Sequence, residues 1–395
     1  MKFKTFDIVP HGTSFDFVGK RSIAVVLSLL ANLAVILWAL PVVHGLNFGV
    51  DFAGGTEMEV RFAQPVDPGA IRTSIEALGF KDASVQTYGA ESEHTYLLRV
   101  GRIALMSQED VSRVVEAVKA RFPVEGVPHF NPEVGDKIDF QFKVAPTADQ
   151  LRAAVEAAGV RVREVREEAG LTAGTRSFAV LTQGIQDKVE RDLAVRFGAA
   201  KPEVRRVEYV GPAVGRELRN QGFKAIVYAM ALIVVYVGLR FDFRFSPGVI
   251  IALIHDAVIT LGYFAFSGRE FNLTSVAVIL TVVGYSVNDT VVVYDRIREN
   301  QGRYKGKKLK DLVNASINEV LGRTILTSFA TALSLVGLLV FGVGTIFDFA
   351  MAMLIGIVSG TYSTWFIAAP MTIWLEERAE RSKKQTAQPA APSKA

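Results

Sequence analysis

The stretch Phe271–Tyr294 reads FNLTSVAVILTVVGYSVNDTVVVY. As a helix it is long enough to cross a bilayer, whose hydrocarbon core of about 30 Å takes roughly 20 apolar residues. It also carries one carboxylate, Asp289. An ionised side chain at the centre of a span costs roughly 3 kcal/mol on insertion scales, so Asp289 needs a reason to be there. The chain therefore reads as a membrane protein, and Asp289 as a candidate functional residue.

Outward from this stretch, apolar runs of similar length occupy 23–43, 223–239, 249–266, 323–343 and 346–375, which makes six spans in all. Half of the 395 residues are hydrophobic, yet 21% are charged, so the charge must be segregated between the runs. The net charge of +4 does not point to nucleic acid, because the basic residues gather beside the apolar runs. Lys2, Lys4, Lys20 and Arg21 precede the first run. Arg240 and Arg244 lie between the second and third. Arg296, Arg298, Arg303, Lys305, Lys307, Lys308 and Lys310 lie between the fourth and fifth. The positive-inside rule then places both termini and the 295–322 loop in the cytoplasm, and segment 44–222 outside. The first run is too long for the core of a cleaved signal peptide, and no convincing small-x-small site follows it, so it reads as an uncleaved anchor.

Segment 44–222 repeats itself. Glu57–Phe62 (EMEVRF) alternates as a half-buried strand does, and Lys137–Phe142 (KIDFQF) does so again. Ile71, Ile75, Leu78 and Gly79 correspond to Leu151, Val155, Ala158 and Gly159, a helix stripe with a glycine stop in each copy. Strands at Tyr96–Val100 and Ser177–Leu181 follow, then helices at Val111–Phe122 and Ile185–Phe197. Each copy, about 56–125 and 136–210, has the βαββαβ order of a ferredoxin-like unit. The expected fold is a polytopic α-helical membrane protein with six transmembrane helices and an α+β extracytoplasmic domain of two tandem ferredoxin-like units. A single larger α+β domain with similar halves is the alternative. The absence of cysteine leaves that domain without disulfides. It contains no metal-ligand cluster, P-loop or nucleophile elbow, so neither cofactor nor enzymatic activity is expected, and 376–395 reads as a disordered cytoplasmic tail.

Within the spans, Thr281, Gly284, Tyr285, Asn288 and Asp289 recur at helical spacing and form a stripe that must face protein. Arg323 opens the fifth span, with Thr327, Thr331 and Ser334 below it on one face. The cytoplasmic loop makes these two helices antiparallel, so Asp289 and Arg323 can meet at similar depth as an ion pair. A proton on Asp289 would then leave Arg323 unpaired and favour another helix packing, the minimal chemistry of a proton-coupled switch. His255 and Asp256 lie in the third span, where Asp256, Thr260, Tyr263 and Ser267 share a face; a proton relay and a structural hydrogen bond are both open for Asp256. Gly356 and Gly360 read as a small-residue packing contact.

Several motifs now resemble one family. They are FDFVGKR at Phe15–Arg21, LNFGVDFAGGTEMEV at Leu46–Val60, GPAVGREL at Gly211–Leu218, IHD at Ile254–Asp256, GYSVNDTVVVYDRIREN at Gly284–Asn300 and LGRTILTSFAT at Leu321–Thr331. In this order they resemble SecF, of the SecD/SecF family of protein-export membrane proteins in the resistance-nodulation-division superfamily. The resemblance implies a bacterial inner-membrane subunit that works with SecD beside the SecYEG channel, with YajC and YidC as further candidate partners. Its implied task is to use the proton motive force in late export of an unfolded preprotein, after SecA-driven steps. The family's membrane aspartate falls on Asp289 and its arginine on Arg323, with Asp256 a third candidate and His255, Asn288, Thr327 and Thr331 as polar support. Asp51, Gly54, Gly55, Gly211, Pro212, Gly215 and Glu217 are motif positions. A proton-coupled small-molecule or lipid exporter of the same superfamily is the alternative. A doubled outward domain departs from the single compact one usual in the family.

Overall fold

The computed structural model describes residues 14–80, 83–88, 91–100, 108–130, 137–168, 174–182, 185–241, 246–304, 306 and 308–386. Helix α1 (Arg21–Ala39) is followed by α2 (Val50–Ala53), β1 (Gly55–Arg61), α3 (Pro68–Ala77), β2 (Ser84–Tyr88), β3 (Thr95–Val100), α4 (Gln108–Lys119) and β4 (Val124–Phe130). Then come β5 (Lys137–Phe142), α5 (Ala148–Ala157), β6 (Val162–Glu168), β7 (Arg176–Thr182), α6 (Ile185–Arg196) and β8 (Glu203–Val210). Helices α7 (Pro212–Arg240), α8 (Ser246–Ser267), α9 (Leu273–Asn300), α10 (Leu309–Phe341), α11 (Thr345–Ser363) and α12 (Ala369–Thr386) complete the chain, with a π turn at Thr364–Ala368 joining the last two. The chain divides into two compact units, 50–217 and the remainder.

The first unit contains two four-stranded antiparallel sheets, ordered β2-β3-β1-β8 and β4-β5-β7-β6. Both have ferredoxin-like strand order, but they do not follow each other in tandem along the chain. The αβ segment of the first repeat, α4 and β4, completes the sheet built from β5, β6 and β7. The αβ segment of the second repeat, α6 and β8, returns to complete the sheet of β1, β2 and β3. The cores follow this exchange. Val189 and Leu193 of α6 are buried among Met58, Val60, Ile71 and Leu98, while Val111, Val114 and Val118 of α4 are buried among Ile138, Phe140, Leu151 and Val180. The outcome is one βαββαβ unit with a second, circularly permuted unit inserted between β3 and α6. Repeat boundaries at about 56–125 and 136–210 therefore cut across both sheets, because two repeats with the same polarity pattern offer each sheet equally suitable closing segments.

Local chemistry in the two repeats does correspond. Asp67 caps α3 by accepting from the Ala70 N–H at 2.8 Å, and Thr147 and Gln150 form a reciprocal capping box on α5. Gly79 and Gly159 end these helices at φ +99° and +86°, conformations that a side chain would strain.

Six helices of the second unit are long and apolar enough to span a membrane, the last being α11 and the start of α12 taken together. α9 and α10 outrun their apolar cores. α10 begins at Leu309, inside the segment that hydropathy leaves as loop, because Leu312, Val313, Ile317 and Leu321 are buried, as are Val293 and Ile297 of α9. Likewise α12 runs to Thr386, where Glu, Arg, Ala and Lys are strong helix formers, so the chain from 376 starts as helix rather than as a disordered tail. Positions 387–395 of that tail, with Arg244, Lys305 and Lys307, lie outside the described residues. A short strap fastens the chain after α1 to the α8–α9 loop: Gly49 N–H donates to Phe271 O at 3.0 Å, and Phe271 N–H to Asn47 O at 2.7 Å.

Candidate functional site

Two glycines of α11 let side chains of α9 pack directly against the α11 backbone. A Cβ on Gly356 would run into a methyl of Val282, and one on Gly360 would lie 2.9 Å from Cβ of Ser286. In lipid, close approach of small residues supplies the packing that water drives in a soluble core. Gly356→Ala is therefore expected to lower thermal stability of the detergent-solubilised chain by about 1–3 kcal/mol through overpacking. Gly337→Ala on α10, where nothing lies within 4 Å of the new Cβ, should leave stability unchanged or slightly raised. Equal effects of the two substitutions on the melting temperature would contradict this packing account.

Asp289 is buried, at 3% exposure, on the side of α9 that meets α10 and α11. Its hydrogen-bond partner is Ser328 of α10, whose hydroxyl donates to Oδ2 at 3.5 Å. Ser328 also contacts Thr361 of α11 at 2.9 Å and accepts from the Tyr285 hydroxyl at 3.3 Å. Among the described residues no ion pair joins Asp289 to Arg323. Arg323 is exposed on α10. Thr327 and Thr331 do not reach Asp289 either; each hydroxyl bonds the carbonyl one turn back, on Arg323 and Thr327 respectively. Asn288, Thr281 and Gly284 are exposed on α9. The polar stripes of α9 and α10 are thus split. Asp289, Ser286 and Thr290 are buried, while Asn288, Arg323 and Thr327 are exposed polar residues on α9 and α10 among the described residues.

Asp256, completely buried on α8, accepts hydrogen bonds from Ser286 of α9 and from Ser359 and Ser363 of α11. His255, its neighbour, faces α1 instead, with Nδ1 2.7 Å from Asn32 Nδ2. The sequence reading missed the three serines and Ser328. Their signal was present as helical spacing, with Ser286 one turn before Asp289 and Ser359 one turn before Ser363, but spacing does not say which helix a hydroxyl faces.

In the other unit the two glycine-bearing motifs meet. Gly54 and Gly55 have φ of +74° and +129°, and Gly55 pairs with Val210 at the end of β8. Gly211 follows, Pro212 begins α7, and Gly215 packs so closely that a Cβ would lie 3.1 Å from Gly54 N, 3.3 Å from Phe52 O and 3.4 Å from Asp51 O. Asp51, in α2, and Glu217, in α7, flank this backbone contact. These positions bring the end of β8 and the start of α7 against the turn into β1.

Family comparison agrees with the motifs. Residues 191–378 match the C-terminal model of protein-export membrane protein SecD/SecF, and 40–66 match the SecD/SecF GG motif. The chain is 37% identical over 372 residues to the protein translocase subunit SecF of Magnetococcus marinus, covering 93% of this chain and 94% of that protein. It is 35% identical over 386 residues to the SecF of Koribacter versatilis, covering 93% of each. The crystal structure of SecDF, a translocon-associated membrane protein from Thermus, superimposes with a TM-score of 0.66 at 28% identity over 93% of this chain. The chain spans 39% of that SecDF molecule, and 41% of SecDF in its super-membrane-facing form, where the TM-score is 0.56. With matching motifs, six apolar helices and relatives aligned over nearly their whole length, this chain belongs to the SecF family of protein translocase subunits.

Proposed function

We propose that this chain is an accessory subunit of the Sec translocase that couples the proton motive force to late preprotein translocation. It pairs in the membrane with SecD, next to the SecYEG channel and within reach of YajC and YidC. The observation that carries this reading is the uncovered polar surface of α9 and α10. An arginine on a lipid-facing helix surface costs several kcal/mol, so Arg323, Asn288 and Thr327 call for a second membrane protein against them. The match to about two fifths of a SecDF molecule supports SecD as that partner. Asp289, buried beside this surface, is the group that takes up and releases a proton, and Arg323 is the charge whose pairing with the partner changes when it does. The positive-inside distribution orients the 50–217 unit outward, where an unfolded preprotein emerges.

The test is preprotein export into inverted membrane vesicles from cells depleted of this chain, with and without a proton gradient. Depleted vesicles should retain SecA-driven export and lose its stimulation by the gradient, and adding back the wild-type chain should restore it together with a copurifying SecD. Full gradient stimulation in depleted vesicles would overturn the proposal.

A further inference from the structure

Asp256 lies away from the α9–α10 surface and has no cation beside it among the described residues. Its Oδ2 accepts from Ser286 at 2.6 Å and Ser363 at 2.7 Å, and its Oδ1 accepts from Ser359 at 2.6 Å. Among the described residues, no charged group of α8, α9 or α11 bonds or pairs with Asp256. His255 of α8 faces Asn32 of α1, and Asp289 of α9 lies one turn beyond Ser286. Asp348 of α11 sits near the other end of its span, bonded to Tyr263 and paired with Arg269. None of these provides Asp256 with a positive charge.

The cage consists of hydroxyls, and that choice of donor matters. An arginine or a backbone amide can only donate, so it holds a carboxylate in one state. A serine hydroxyl can turn and accept, so the same three side chains fit either a carboxylate taking three donated bonds or a carboxylic acid donating one. Ser363 has a second acceptor in place, the Gly360 carbonyl at 3.1 Å, and can leave Asp256 without losing a bond. The cage also joins three helices where α9 and α11 touch at Gly360, and Ser363 directly precedes the π turn at Thr364–Ala368. Thr364 opens that turn and pairs with Thr290 of α9 at 2.9 Å. π turns are often found at functional sites in helices, because they break the regular ladder.

We propose that Asp256 is a second proton-carrying carboxyl of this chain, which takes up and releases a proton inside its serine cage and thereby resets the packing of α8, α9 and α11 that positions Asp289. This rests on the proton-coupled reading above and adds to it a group that needs no partner subunit.

Infrared difference spectra of the full-length chain in lipid nanodiscs, taken between mildly acidic and mildly alkaline pH, test it directly. Acidification should raise a carbonyl band of protonated carboxyl. One component should be lost in Asp256→Asn, be retained in Asp289→Asn, and shift in frequency in Ser363→Ala, which leaves the carboxyl in place with one donor fewer. A wild-type chain without that component, or an Asp256→Asn chain that keeps it, would overturn the proposal. The spectra require no translocation, so a titrating Asp256 in a chain that vesicle export does not need would sink the export reading alone.

Discussion

Replacing Asp289 with asparagine is expected to remove gradient-stimulated export while leaving SecA-driven export intact. Asparagine keeps the size and the hydrogen bond from Ser328, so the packing of α9 against α10 and α11 should persist; only the ability to gain and lose a proton is removed. A charge crossing about 100 mV gains roughly 2.3 kcal/mol, which biases a two-state element by about fiftyfold. Most of that bias should vanish, so stimulation by the gradient in vesicles should fall on the order of tenfold or more. Arg323→Met should have a similar effect for a different reason. Arg323 makes no ion pair with Asp289 among the described residues and lies exposed on α10, so methionine should not reduce the amount of folded protein. A loss of gradient stimulation without loss of protein is the signature of a functional charge. Vesicles carrying either variant that respond to the gradient as wild type does would reduce the chain to a passive scaffold.

The second large effect concerns the outward unit. Deleting 108–182 removes α4 through β7, one complete sheet with both of its helices, and leaves β1, α3, β2, β3, α6 and β8 to form the other. That variant should accumulate in the membrane and resist trypsin as wild type does. Deleting the sequence repeat 136–210 removes a segment of comparable length but strips α6 and β8 from the first sheet and strands α4 and β4. Val189 and Leu193 alone would then be missing from a core in which a fully buried side chain contributes about 1.5–3 kcal/mol, against a domain stability of about 5–15 kcal/mol. The remaining apolar faces and unpaired edges should bring rapid degradation. Comparable steady-state levels and protease resistance of the two deletions would refute the exchanged topology. The same topology accounts for the doubled domain of this chain: one βαββαβ unit is complete, and the second is inserted at one loop of it.

How much of this was legible in the chain depends on which force wrote each feature. Six spans could be read from hydropathy, because the bilayer selects for apolar length. The βαββ pattern of each repeat could be read from alternation and glycine stops, because strand pleat and helix pitch are local. Asp289 was conspicuous because charge in a span is costly wherever the helix ends up. What the tertiary structure decided was pairing among equivalents. Two repeats of the same polarity can close their own sheets or each other's, and only long-range contacts choose β8 for β1 and β4 for β5. Ser328, not Thr327 or Thr331, reaches Asp289, because neighbouring residues on a helix point about 100° apart and the rotation of α10 is set by its packing. Arg323 is exposed for the same reason. The serine cage of Asp256 draws on three helices distant in sequence, and only their packing through Gly356 and Gly360 brings those hydroxyls onto one carboxyl.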